Sequence, residues 1–219
     1  MTGLARLVEH ALSLPAVAHS RAIIGITGPP GSGKSTLAVH LVAALKEAGV
    51  AVAHVPMDGF HLADASLAHF DALDRKGAID TFDAHGFLSL LRRVRSERGH
   101  TIYAPDFERN LEQPLAGAIR VGSSTSLVIT EGNYFLAPVP PWPAIRAAMD
   151  QVWYCDLPTD TRTERLVARH TQFGKSPDQA ADFVAQVDQA NAKLVTTWRD
   201  GADSFIDLPT LDLSPVGAS

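Results

Sequence analysis

Along this chain, short uninterrupted apolar runs alternate with longer stretches in which apolar residues recur every three or four positions. Runs of the first kind at 22–26, 50–55, 127–130, 152–156 and 205–208, with a shorter one near 101–103, predict strands. Near-continuous apolarity is what a strand covered on both faces requires. Stretches of the second kind predict helices over 34–48, 84–96, 161–170 and 178–197, the last two separated by the turn-like "TQFGKSP". Leu4, Leu7, Val8, Ala11 and Leu12 keep helical spacing ahead of the first strand and predict an amphipathic helix lying on the domain. Strands and helices in alternation imply an α/β fold, with a mostly parallel five-stranded sheet flanked by helices. A length of 219 residues suits one domain spanning 1–219.

Two segments break the alternation, one over 58–83 and one over 101–122, both polar and punctuated by Gly or Pro. Excursions of that length in a compact domain usually carry function. Both leave from the strand ends where α/β sheets gather ligands.

Composition narrows the classes. Hydrophobic residues make up 46% and charged residues 20%, which suits a folded globular chain. A formal net charge of −5 speaks against non-specific nucleic-acid binding, so any anionic ligand must be held by local positive charge. The single cysteine, Cys155, lies in the apolar run "QVWYCDL" and reads as a core residue in a cytoplasmic protein. Arg6, Glu9 and His10 interrupt the first apolar stretch, which is therefore neither a signal peptide nor a membrane span, and no membrane partner is expected. Homo-oligomerisation stays open.

The chemistry begins at "IIGITGPPGSGKST", where Gly28-x-x-x-x-Gly33-Lys34-Ser35 stands between a predicted strand and a predicted helix. That context makes it a phosphate-binding P-loop. Glycines turn backbone N–H groups inward around phosphate oxygens, and the helix N-terminus adds its dipole. Gly28, Gly31, Ser32, Gly33, Lys34, Ser35 and Thr36 are the nucleotide-binding candidates, with Lys34 on the β- and γ-phosphates and the Ser35 hydroxyl on Mg²⁺. A guanine-reading Asn-Lys-x-Asp is absent, and the later strand "SLVITEGNYF" ends on Glu131 alone, which suits a metal-organising acid.

On the acceptor side, the second strand delivers Asp58 beside Gly59. In a parallel sheet that strand end faces the crevice of the γ-phosphate, so Asp58 could take a proton from an attacking hydroxyl or help hold Mg²⁺; the alternative is a plain Asp-Gly turn. His61 follows as a candidate substrate contact. Arg162, Arg165 and Arg169 stand at i, i+3 and i+7, one helix face that could close on a triphosphate, with Lys175 in the loop beyond; the alternative is a solvated face paired with Asp160 and Glu164. Arg109 is the obvious cation of the 101–122 segment available for a substrate phosphate.

Taken together, "GPPGSGKST", "PMDGFHL", "TFDAHGF", "YAPDFER", "VITEGNYFL" and "RLVARH" resemble the phosphoribulokinase, uridine kinase and bacterial pantothenate kinase superfamily, and within it a bacterial branch some of whose members are labelled fructose kinase. The resemblance runs from about Arg21 to Leu208 and implies the P-loop NTPase fold. It implies a catalytic base at Asp58, a Mg²⁺-organising acid at Glu131, substrate-hydroxyl binding at Asp83, an acceptor-lining aromatic at Tyr103, and phosphate-closing arginines at Arg165 and Arg169. The acceptor-binding regions then fall at about 58–83 and 101–122 and the lid at about 161–178. The chain departs from the uridine kinase pattern at Gly59, His61 and His170. Motif and resemblance together imply an ATP- and Mg²⁺-dependent kinase acting on a hydroxyl of a sugar, nucleoside or pantothenate-like metabolite. The competing reading is a nucleotide-dependent switch or chaperone ATPase or GTPase with no small-molecule acceptor.

Overall fold

The structure, a computed structural model, describes residues 2–14 and 20–217. Its main sheet has six strands: β1 (Ala22–Thr27), β2 (Val52–His54), β5 (Leu127–Gly132), β6 (Gln151–Asp156), β7 (Ser204–Asp207) and β8 (Asp212–Pro215). They lie in the order β2-β5-β1-β6-β7-β8, the first five parallel and β8 antiparallel at the edge. The five parallel strands are those the apolar runs predict. The sixth went unseen because "DLSP" offers only Leu213 as a partly buried apolar residue.

Central β1 shows why its sequence is apolar throughout. Ile24 and Ile26 pack on one face with helices α1 (Gly3–Leu12) and α2 (Lys34–Glu47), against Leu7, Leu41 and Trp153. Ile23 packs on the other face, with Phe87 and Leu91 of α4 (Ala84–Ser96) and with Phe135. Period-two alternation thus serves two cores at once. Cys155 is buried in the first of them, and burial pushes its thiol up to about 12, as a core residue should show.

The short run near 101–103 is not part of this sheet. It opens β3 (Ile102–Glu108), which pairs with β4 (Gln113–Val121) in a separate antiparallel hairpin. β4 is mostly exposed, so it lacks the apolar signature of a buried strand. The helix predicted over 178–197 is broken in the middle: α7 (Pro177–Phe183) and α8 (Gln189–Thr197) are joined by one π-helical turn, Val184–Asp188. Helices α3 (Asp64–His69) and α5 (Trp142–Ala147) are short, and α6 (Thr159–Gln172) follows β6 directly. Among the described residues no helix is long and apolar enough to cross a membrane.

Candidate active site

All five parallel strands end toward one edge, and the loops that leave them there build two adjoining cavities. The loop after β1 is the P-loop. Gly28, Gly31 and Gly33 take positive φ of 145°, 77° and 84°, which L side chains rarely adopt. A Cβ on Gly31 would also fall 2.9 Å from the Arg162 carbonyl, because α6 packs directly on the loop. Ser32 Oγ is buried inside the loop with no partner among the described residues, an orphaned group that suits a phosphate oxygen. Lys34 is buried and donates to the Pro29 carbonyl at 3.0 Å; desolvation pulls its pKa down. A bound anion would replace that carbonyl.

Ser35 Oγ donates to Oε1 of Glu131 at 3.0 Å, joining the first turn of α2 to the end of β5. Burial, then the neighbouring charge of Asp58, pushes the Glu131 carboxyl up to about 7. Two carboxylates and a hydroxyl are the donor set of a hard divalent cation that takes its other ligands from phosphate and water. Ser35, Glu131 and Asp58 therefore fit Mg²⁺.

Asp58 sits in a tight turn, Met57–Phe60, just beyond β2, its side chain 28% exposed. Oδ2 lies 3.6 Å from Nη2 of Arg109, just beyond the end of β3, so Asp58 and the cation of the acceptor segment form an ion pair. Gly59 is required here for closeness: a Cβ would stand 2.4 Å from the Pro105 carbonyl, so the hairpin could not pack on the turn. His61 accepts this geometry too. Its Nδ1 is 2.8 Å from the Asp58 carbonyl, which can only accept, leaving Nε2 as the acceptor nitrogen of the neutral ring. Desolvation lowers its pKa, and Phe82 and Phe107 flank it at 4.1 and 4.8 Å between centroids.

Asp58 and His61 line a cavity of about 300 Å³ together with Lys76, Phe82, Phe107, Asn133, Asp188 and Asn191. A second cavity of about 680 Å³ runs over the P-loop past Thr36, His40 and Arg165. Gly31, Lys34, Ser35, Arg109 and Arg169 line both. The two spaces meet where a terminal phosphate would lie.

The arginine row divides. Arg162 is buried, donating to the Pro30 carbonyl at 3.1 Å and to Thr159 Oγ1 at 3.2 Å, so it props the P-loop rather than facing ligand. Arg165 and Arg169 make no ion pair or side-chain hydrogen bond among the described residues and line the P-loop cavity. Two acceptor-side expectations land elsewhere. Asp83 is exposed and caps α4, accepting from the Gly86 N–H at 2.7 Å, outside both cavities. Tyr103 is 61% exposed on the outer face of the hairpin. A bulge between Ala104 and Asp106 shifts the register of β3, and the aromatic that reaches the cavity is Phe107.

The phosphoribulokinase / uridine kinase family model matches residues 23–213, almost the whole chain. This chain belongs to that family. Family membership makes it a P-loop kinase, a phosphotransferase with a small-molecule acceptor. An "ATP-dependent kinase-like protein" of Aspergillus versicolor is 34% identical over 73% of this chain and 93% of its own length. A candidate uridine kinase of Schizosaccharomyces pombe is 33% identical over 80% of this chain and 78% of its own. Among solved structures, a candidate fructose transport system kinase of Silicibacter sp. TM1040 is 36% identical and superposes with a TM-score of 0.87, covering 94% of this chain and all of that one.

Among the wall residues that escaped the sequence reading are Phe107, Asn133, Asp188 and Asn191. Phe107 was within the "YAPDFER" segment and Asn133 within "VITEGNYFL". Nothing local marks the other two, which lie in a helical pattern.

Proposed function

We propose that the protein transfers the γ-phosphoryl group of ATP, with Mg²⁺, to a hydroxyl of a small metabolite such as a sugar, a nucleoside or a pantothenate-like alcohol. The observation that carries this reading is the meeting of the two cavities: Asp58 on the acceptor side shares the space at Lys34, Ser35, Arg109 and Arg169 with the P-loop side.

In the reaction, the acceptor oxygen attacks the γ-phosphorus, its proton passes to an Asp58 carboxylate oxygen, and the bond to the β-phosphate oxygen breaks to release ADP. For this Asp58 must exchange Arg109, at 3.6 Å, for the hydroxyl; the guanidinium then has the transferring phosphoryl group as its natural partner, since it lines both spaces. Lys34 leaves the Pro29 carbonyl for phosphate oxygens, and Arg165 and Arg169 spread positive charge over them. Ser35 and Glu131 would hold the Mg²⁺, which neutralises phosphate charge when bound. The burial of Cys155 as a free thiol accords with a cytoplasmic setting.

The test is ATP consumption measured across sugars, nucleosides and pantothenate, with Asp58→Asn as control. Acceptor-dependent ADP release that drops about 10² to 10⁴-fold in the variant is the expected result. Slow hydrolysis indifferent to every acceptor would favour the switch reading and sink this one.

A further inference from the structure

The far wall of the acceptor cavity is built by an irregularity. In α6, His170 follows Arg169; its Nε2 lies 2.8 Å from Oδ2 of Asp188, the last residue of the π-helical turn between α7 and α8. Single π turns concentrate at functional sites because they re-aim one side chain without ending the helix. Asp188 is 7% exposed, and it lines the acceptor cavity, so the access it retains is access to that space. Its Oδ1 takes no hydrogen bond from any described residue and is not among the fully enclosed orphan atoms. A carboxylate oxygen is thus held still by His170 and left open to whatever fills the cavity. One turn further, Asn191 lines the same wall and donates to the Gly77 carbonyl at 3.4 Å, beside the Tyr134 hydroxyl on that carbonyl at 2.6 Å. The wall is therefore tied to the 71–81 loop and preorganised.

Charge decides what such a wall admits. Lys76 donates to Oδ1 of Asp64 at 2.6 Å and to the Glu112 carbonyl, Arg109 faces Asp58, and His170 faces Asp188. Lys175 lies over the Phe183 ring at 4.8 Å. Arg169 and Lys34, the remaining cations, belong equally to the P-loop cavity, where a triphosphate claims them. An acceptor carrying a phosphate or carboxylate against this wall would meet the open oxygen of Asp188, with Lys175, over the Phe183 ring and without an ion pair among the described residues, as the cation left to answer it. Repulsion at Asp188 and the cost of desolvating a second anion both work against it.

We propose that Asp188, presented by the π turn and oriented by His170, is the specificity anchor of the acceptor site, accepting a hydrogen bond from a hydroxyl remote from the one phosphorylated. The acceptor class is accordingly an uncharged polyhydroxy compound, a sugar or nucleoside, and not a sugar phosphate, a sugar acid or pantothenate. This rests on the kinase reading above and narrows it.

The experiment compares kcat/KM for uncharged pentoses, hexoses and nucleosides with that for pantothenate, sugar acids and sugar monophosphates, in the wild-type chain and in Asp188→Asn and His170→Gln. Uncharged acceptors are expected to win in the wild type. Asp188→Asn should raise their KM about 10 to 100-fold and narrow their advantage over the acids by about tenfold or more. His170→Gln should give a smaller loss of the same kind. KM for ATP serves as the folding control, expected to move less than about twofold, which a merely structural collapse would not allow. Transfer that prefers an anionic acceptor, or a neutral-to-acid ratio unmoved in Asp188→Asn, overturns this inference and leaves the kinase reading standing. No transfer to any compound, with nucleotide still bound, overturns both.

Discussion

The P-loop cavity and the acceptor cavity touch through the same five residues, yet they are built on opposite plans. The first takes its cradle from one run, Gly28 to Thr36, folded by the local demands of a glycine loop between a strand and a helix. The second is gathered from the turn after β2, the 71–81 loop, the β3–β4 hairpin, the end of β5, α6 and the π turn before α8. A site made of contiguous chain is set by local backbone conformation. One made of six segments is set by packing, so its members change identity when a register moves by one residue.

The sharpest way to break that contrast is to strike each half at its reacting end. Asp58→Asn should lower turnover about 10² to 10⁴-fold while ATP binding survives, because the amide keeps the side chain's shape but cannot take the proton in the proposed reaction. Lys34→Ala should cost about 10² to 10³-fold and weaken ATP binding as well, since the ammonium meets phosphate in ground and transition states alike. Initial rates together with nucleotide binding by calorimetry separate the two. Equal damage to ATP affinity in both variants would mean the halves do not divide at Asp58.

The same division explains what was legible in the sequence. Five parallel strands were readable because each is largely buried and so apolar; β4 and β8 were not, because most of their residues are exposed and need no such signature. Helix 84–96 was readable to its ends, since Asp83 caps it, and that cap is the reason Asp83 is spent on the backbone instead of substrate. Tyr103 and Phe107 illustrate the limit: the ring of this segment that lines the cavity is Phe107, because the bulge after Ala104 is invisible in composition. Asp188 looked like one polar position of a long helix, and only the π turn makes it a wall residue.

Next in size come changes that loosen the supports of each half. Gly59→Ala forces a methyl to within 2.4 Å of the Pro105 carbonyl and should cost about 1–3 kcal/mol, with the hairpin moving off the acceptor cavity. Arg162→Ala leaves the buried Pro30 carbonyl unpaired and should cost about 1–3 kcal/mol, felt at the P-loop. Either loss corresponds to roughly 2–4 °C of melting temperature per kcal/mol in a chain of this size. If the contrast holds, the first variant raises KM for the acceptor more than for ATP, and the second does the reverse.

Smaller still, Phe107→Ala should raise acceptor KM about tenfold, the cost of losing an aromatic face against His61, whereas Tyr103→Ala on the outer face should do less. Parity between the two rings would restore Tyr103 to the site.

The smallest effect is a matter of pH and sits at the root of the acceptor half. His54 ends β2, four residues before Asp58; its Nε2 is buried without a partner among the described residues, and desolvation lowers its pKa. The nearby charges of Asp106 and Asp58 oppose that shift without cancelling it. A histidine kept neutral by the fold binds its proton more readily in the unfolded chain, where its pKa is about 6.5. Its contribution is therefore complete above about pH 6.5 and is lost as pH falls from there through the lower folded value. A single such group limits the slope to about 1.4 kcal/mol per pH unit. His61 adds a term of the same sign, so the diagnostic is a difference: denaturant unfolding of the wild type and His54→Leu between pH 8 and pH 5. The variant should lose less stability on acidification, because an apolar side chain needs no proton and leaves no orphaned nitrogen. Parallel curves would mean that His54 binds its proton as readily in the fold as in the unfolded chain, and that the β2 end owes its acid sensitivity to His61 beside Asp58.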